Sequence, residues 1–241
     1  MSSLAIPPGA NTTLHTRITR PTTPTNKPLV VFLHYWRGSS STWHKVLSPD
    51  SSTAISSQYP TAAVDLRGWG KSIGPADETG RSYSMTAMAP DVATLVSSLK
   101  NSTENSDLLA QGFVLVGHSM GAKVALASLS ALPDDLPKEL KGLVLIAPAP
   151  PTALVLTQEM KEQQKIAYQS EDSVRWTVTN LLANTERLSE EDISLVVRNS
   201  LSGTELAKTA WPTYGMEEDI TENVKTALAS VGVRRCSWAE Y

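Results

Sequence analysis

Short apolar runs rich in β-branched residues alternate along this chain with longer segments of helical periodicity, the pattern of a parallel sheet covered by helices on both faces. Leu29 to His34, Thr61 to Leu66, Gly112 to Val116 and Lys141 to Ala147 read as buried strands, since their apolar positions run on without alternation. Thr12 to Ile18 alternates and reads as a polar-faced edge strand. Ser84 to Lys100 and Met120 to Leu132 carry helical spacing, Trp43 to Ser57 is a less regular helix, and Pro21 to Lys27 is a turn.

The rhythm changes after the proline cluster Pro148, Pro150, Pro151. Four amphipathic helices follow with no strand between them: Thr157 to Tyr168, Asp172 to Leu182, Ser189 to Leu201 and Thr204 to Trp211. A helical insertion at this point would roof the C-terminal edge of the sheet and shape a pocket there. The expected organisation is an α/β core over residues 1–151, a helical cap over 152–215 and a return to the core over 216–241.

Gly117-His118-Ser119-Met120-Gly121 lies between the apolar run Phe113 to Val116 and the Ala-rich helix. The bare G-x-S-x-G pattern arises by chance in roughly one chain of this length in ten, so the flanks carry the inference. A buried strand that turns sharply into a helix needs glycines where a Cβ would collide, and it leaves Ser119 on a strained backbone with its hydroxyl exposed. The helix N-terminus aims free N–H groups and a positive dipole end at that hydroxyl, as an oxyanion requires. Ser119 is therefore the candidate nucleophile.

Composition narrows the remaining possibilities. The 241 residues are 41% hydrophobic and 19% charged, enough for one sizeable domain. A net charge of −3 and the lack of a basic stripe argue against a nucleic-acid partner. No apolar run approaches the 18 residues of a membrane span, and Met1 to Arg20 lacks a signal-peptide core, so no membrane partner and a cytoplasmic location are expected. The lone Cys236 excludes an internal disulfide and a cysteine metal cluster. No metal-ligand spacing, phosphate loop or dinucleotide fingerprint appears, so no metal and no cofactor are expected. The partner left is a small-molecule substrate, and the oligomeric state is unknown.

Two further loops follow strands: His34-Tyr35-Trp36-Arg37-Gly38-Ser39-Ser40, and Asp65-Leu66-Arg67-Gly68-Trp69-Gly70-Lys71-Ser72. With the elbow and the strand end Leu145 to Pro148, these resemble the α/β-hydrolase fold family, in its cap-bearing esterase and non-haem haloperoxidase-like branch. The resemblance implies a mainly parallel sheet flanked by helices, an all-helical cap and a serine hydrolase acting on a small ester or related acyl or carbon–carbon bond through an acyl-enzyme. It implies oxyanion donors at the backbone N–H groups of Trp36 and Met120. His34 then hydrogen-bonds its own loop, Asp65 and Arg67 fix the second loop, and His44 is a surface residue. Tyr35, His118, Trp69, Trp176 and Trp211 are pocket candidates, with Tyr168, Tyr214 and Met216 beside them. For His118, packing or contact with substrate is weighted above a role as base; for Trp69, simple packing is an equal reading, and for Trp176, Tyr168, Trp211, Tyr214 and Met216 packing between cap and core is the commoner one.

The same resemblance calls for an acid and a histidine after the cap, in chain order Ser, Asp/Glu, His. The four histidines are His15, His34, His44 and His118, and the final segment reads Gly232-Val233-Arg234-Arg235-Cys236-Ser237-Trp238-Ala239-Glu240-Tyr241. The expectation is a family member truncated or altered near residue 232, as a frameshifted or mis-spliced gene would give, with C-terminal strands missing and activity impaired. Two other readings stand beside a serine hydrolase: a non-catalytic ligand-binding protein, and an inactive, poorly stable fragment with an open sheet edge.

Overall fold

The computed structural model describes residues 2–9, 12–48, 54–76, 81–231 and 238–239. Strands β1 (Ser2–Gly9), β2 (Thr12–Thr19), β3 (Leu29–Leu33), β4 (Thr61–Val64), β5 (Phe113–His118), β6 (Leu140–Ile146) and β7 (Trp238–Ala239) form one sheet in the order β1-β2-β4-β3-β5-β6-β7. β1 and β2 are antiparallel to each other, and β2 is antiparallel to β4. From β4 through β7 the strands are parallel.

The unbroken apolar runs of β3, β4 and β5 have a simple cause: both faces of the sheet are covered. Leu29, Val31, Leu33, Ala62, Val64, Phe113 and Leu115 face the larger core, while Val30, Phe32, Ala63 and Val116 face a smaller one with Trp43 and Leu47. Successive residues of a strand point to opposite faces, so each run supplies both cores at once. Helices α2 (Met85–Asn101), α3 (Met120–Ser128) and α8 (Thr221–Val231) pack against the larger core. On α2 the buried Met85, Met88, Ala89, Val92, Leu95, Val96 and Leu99 make one stripe. Its first turn is capped by the Ser84 hydroxyl and by Glu218, whose carboxylate accepts from Met85 N at 2.6 Å.

The region from 158 to 215 holds α4 (Gln158–Ile166), α5 (Glu171–Thr177), α6 (Glu190–Ser202) and α7 (Glu205–Ala210). The sequence expectation of four consecutive helices agrees with this, except that α5 and α7 run on as π-helical turns, Val178–Leu182 and Trp211–Gly215. Val174, Val178, Ile193 and Val197 form a small core of their own between α5 and α6. Chain crossings into and out of this layer are paired by Leu154 N to Met216 O and Ile220 N to Pro151 O, 2.9 Å each. Lys123 of α3 is fully buried and donates from Nζ to Thr152 O (3.1 Å) and Met216 O (3.2 Å), so one ammonium holds both crossings to the helix behind Ser119.

Three expectations change. The strand at Thr12 to Ile18 is not an edge, because β1 pairs outside it; its alternation reflects one face on the larger core and one half-buried. The helix expected over Trp43 to Ser57 is a 3₁₀ turn at Ser40–Trp43, a short α1 (His44–Leu47) and a second 3₁₀ turn at Ile55–Ser57, with 49–53 outside the described residues. Residues 232–237, 240 and 241, on which the expectation of an altered end falls, also lie outside them; Trp238 and Ala239 pair with Leu145 and Ile146 of β6.

The loop after β4 is fixed by Arg67, whose guanidinium meets both oxygens of Asp91 on α2 and also donates to Ser82 O at 2.8 Å. Both partners of the ion pair are buried. Removing one partner of such a pair leaves an uncompensated charge in the interior. Asp91→Ala is therefore expected to lower the unfolding free energy by about 3–5 kcal/mol, measured by urea denaturation, whereas Glu222→Ala in an exposed pair on α8 shifts it by less than about 1 kcal/mol.

Candidate active site

β5 ends and α3 begins at Ser119, whose φ of 52° and ψ of −114° place a non-glycine residue in a strained region. Two glycines make this possible. A Cβ on Gly117 would lie 2.5 Å from the Ala122 Cα, and one on Gly121 would lie 2.4 Å from Leu33 O and 2.5 Å from His34 O. Those neighbours are backbone atoms that cannot swing aside. Helix α3 therefore starts directly against the end of β3, with its first amide beside the loop that follows β3. Neither Met120 N–H nor Trp36 N–H donates to another described residue. Ser119 N–H, by contrast, is committed to Ile146 O at 3.0 Å.

The loop after β3 is shaped by His34, which is fully buried. Its Nε2 accepts from Leu66 N–H at 3.0 Å, so the ring proton resides on Nδ1 and is donated to Tyr35 O at 2.7 Å. Burial lowers its pKa to about 4, against the smaller opposing pull of that backbone bond and of Asp65. Asp65 ties the loops together: its Oδ1 accepts from Ser40 N–H at 2.5 Å and its Oδ2 from Lys71 N–H at 3.0 Å, with His15 Nδ1 also at 3.0 Å. His34 and Asp65 are thus loop-holding residues, in agreement with their sequence reading.

A cavity of about 650 Å³ opens at Ser119, within the usual range for a small-molecule site. Core residues Tyr35, Trp36, His118 and Ser119 form its floor; Met160, Gln163, Gln164, Tyr168, Val178, Leu181, Leu182, Leu188, Val196, Ser200 and Trp211 are among those forming its walls. Among the described residues no lysine, arginine, aspartate or glutamate lines it. The His118 ring packs against Tyr35 (5.2 Å between centroids) and Trp43 (6.4 Å), and burial lowers its pKa below the ordinary 6.5, so it is neutral at pH 7.

Of the residues expected at the pocket, Ser119, Trp36, Tyr35, His118, Trp211 and Tyr168 come together there, whereas four do not. Trp69 is 1% exposed and packs on Gly203, which has no room for a Cβ beside the indole. Trp176 is 58% exposed, on the outer side of α5. Met216 is fully buried in the larger core, and the Tyr214 hydroxyl accepts from Tyr83 N–H at 3.3 Å. His44 is half-buried rather than a plain surface residue: its Nε2 lies 2.6 Å from Asp192 on α6. Burial alone would raise the Asp192 carboxyl, yet hydrogen bonds from Lys45, Ser189 and His44 hold it well below the carboxylate range. Met160, Leu181, Leu182 and Ser200 were not anticipated as wall residues. For Met160, Leu181 and Leu182 the available signal is a large apolar residue on an otherwise polar helical stretch, and Leu181 and Leu182 remain more than 60% exposed; Ser200 carries no such signal.

The sequence pattern of the alpha/beta hydrolase family matches residues 30–219. The chain belongs to that family. This α/β-hydrolase superposes on an esterase from Exiguobacterium antarcticum with a TM-score of 0.69 at 18% identity, covering 92% of this chain and 76% of the other. It also superposes on a bromoperoxidase from Bacillus anthracis with a TM-score of 0.70 at 18% identity, covering 95% and 78%. At that identity the likeness shows the fold. By sequence it is 32% identical over 139 residues, 58% of this chain, to the probable lysophospholipase BODYGUARD 1 of Arabidopsis thaliana. The match spans only 26%, about a quarter, of that relative's length. No helix among the described residues is long and apolar enough to cross a membrane.

Two outcomes check this geometry. Gly121→Ala is expected to cost about 3 kcal/mol or more, because its methyl meets two carbonyl oxygens of β3 and its loop; the urea midpoint reads it. His34 has a folded pKa below its unfolded one, so the unfolded chain binds more protons between the two values and stability falls as pH drops from 6.5 toward 4. The loss through this residue is about 3 kcal/mol, and His34→Gln, which cannot protonate, is expected to show a shallower acid slope.

Proposed function

We propose that this chain is a serine hydrolase that cleaves neutral esters of an apolar acyl group, with α4 to α7 acting as the cap over its pocket. The observation that carries the reading is Ser119 on a strained elbow at the floor of a largely apolar cavity that Trp36 also lines, with the N–H groups of Trp36 and of Met120, the residue after the serine, lacking an acceptor among the described residues. A largely apolar cavity whose described lining holds no Lys, Arg, Asp or Glu, and whose His118 is neutral at pH 7, favours an uncharged, hydrocarbon-rich substrate. The esterase-like fold and the likeness to a probable lysophospholipase support ester chemistry.

In the proposed reaction the Ser119 Oγ attacks the ester carbonyl carbon and its proton passes to a base. The oxyanion of the tetrahedral intermediate accepts from Trp36 and Met120 N–H. Collapse breaks the bond to the alcohol oxygen, which takes up the proton and leaves. Water then attacks the acyl-enzyme in the same oxyanion site and releases the acid. Among the described residues no imidazole paired with a carboxylate lines this cavity. His15 and His44 are paired elsewhere, both ring nitrogens of His34 are engaged, and His118, neutral at pH 7, is the imidazole on offer as proton acceptor. An imidazole without an orienting carboxylate makes a weak base, so turnover of this chain is expected to lie orders of magnitude below that of a complete triad. The same feature favours a second reading, a binding protein that holds an acyl ligand without cleaving it.

Labelling with an alkyl fluorophosphonate, mapped by mass spectrometry, decides between them. The hydrolase reading expects modification of Ser119, loss of labelling in Ser119→Ala, and a rate that has reached its plateau by pH 7 and drops at least tenfold in His118→Ala. Folded protein that binds a fatty acyl ester but remains unlabelled would refute the hydrolase reading and support the binding one.

A further inference from the structure

The loop that bears the Trp36 N–H is fastened to the helices above the cavity. The Trp36 indole donates to Lys208 O of α7 at 3.2 Å. Its neighbour Arg37 sends Nη1 to Tyr168 O at 3.2 Å and to Ser200 O of α6 at 3.0 Å. The guanidinium lies 4.8 Å from the Trp36 ring centroid and 4.9 Å from that of Tyr168, and those two rings are 5.1 Å apart. The cation and the two rings thus stand at the corners of a near-equilateral triangle, and both rings line the cavity.

This arrangement is poor economy if stability were its purpose. Arg37 is 6% exposed, forms no ion pair among the described residues and leaves its Nε without an acceptor. Its backbone φ of 74° lies where a non-glycine residue is strained by about 1 kcal/mol or more. Burial lowers its pKa to about 10, so it is still cationic at neutral pH. A buried cation held by carbonyls and aromatic rings, with no ion-pair partner among the described residues, at a strained position is the kind of feature found where a structure fixes the geometry of a site. What Arg37 fixes is the loop carrying Trp36: the residue immediately before it has a free N–H, and the Arg37 side chain reaches two carbonyls of the helical layer.

We propose that Arg37 is a positioning residue that couples the Trp36 oxyanion donor to the cap, so that the donor is aligned only while Tyr168 and Ser200 hold the guanidinium. The inference rests on the serine-hydrolase reading above. It makes the oxyanion site responsive to the substrate, because Tyr168 lines the cavity and also carries one of the two carbonyls.

The test compares wild type, Arg37→Lys, Arg37→Ala and the control Asn199→Ala, which breaks a different contact between loop and cap, the Ser41 to Asn199 hydrogen bond at 2.9 Å. Two quantities are read on protein shown to be folded by its near-UV spectrum. One is the rate of Ser119 phosphonylation, which places a developing anionic oxygen in the oxyanion site. The other is the affinity for 1-decanol, which fills the cavity without reacting, followed by tryptophan fluorescence. Both Arg37 variants are expected to slow phosphonylation about 10- to 100-fold with decanol affinity within about twofold of wild type. Added guanidinium ion, but not ammonium, is expected to restore part of the rate in Arg37→Ala. Asn199→Ala is expected to keep the wild-type rate. Rates in the Arg37 variants equal to that of Asn199→Ala would overturn the inference, as would a slowing matched by an equal loss of decanol binding. Should Arg37→Ala not fold, Arg37→Lys alone carries the comparison: it keeps the charge but lacks the planar guanidinium that packs against both rings while donating to the two carbonyls. Failure of wild type itself to react at Ser119 would overturn the nucleophile assignment instead, and this inference with it.

Discussion

The contact on which the rest depends is the backbone of α3 against the end of β3. Gly121 stands so close to the Leu33 and His34 carbonyls that a methyl group would lie within about 2.5 Å of both. That approach sets the first turn of α3, with its unpaired Met120 amide and positive dipole end, beside the loop that carries the Trp36 amide. The turn at Ser119, immediately before this helix, has a positive φ of 52°. The strain is sustained because the surrounding strands are buried on both faces and have little freedom to relax.

Around that contact the loops are held by a few buried polar groups. His34 joins the ends of β3 and β4 through its two ring nitrogens, and Asp65 collects Ser40, Lys71 and His15. A second seam runs upward to the helical layer through Trp36, Arg37, Ser41 and His44, which reach Lys208, Tyr168, Ser200, Asn199 and Asp192. Where the chain enters and leaves this layer, Lys123 fastens both crossings. The most exposed wall residues of the cavity, Leu181 and Leu182, lie on a π-helical turn that none of these hydrogen bonds reaches.

Much of this was legible in the sequence, for reasons specific to each part. β3, β4 and β5 announced themselves as continuous apolar runs because two cores share them, and the G-x-S-x-G elbow was readable because steric demand leaves glycine no substitute at 117 and 121. β2 is not the edge strand its alternation suggests: alternation reports one polar face, and cannot tell whether another strand hydrogen-bonds alongside. Trp69 and Trp176 were candidates for the pocket on residue type alone, yet one fills a gap above Gly203 and the other faces outward. The links from Arg37 to Ser200 and from His44 to Asp192 span more than 140 positions each, a separation that no local pattern encodes.

The most direct test of this account is a crystal structure of the chain after reaction with an alkyl phosphonate. The account requires a covalent bond from phosphorus to Ser119 Oγ, with the phosphonyl oxygen about 2.7–3.1 Å from both Trp36 N and Met120 N and the alkyl chain among Val178, Leu182 and Val196. An adduct on another residue, or one at Ser119 whose phosphonyl oxygen turns away from those two amides, would contradict it.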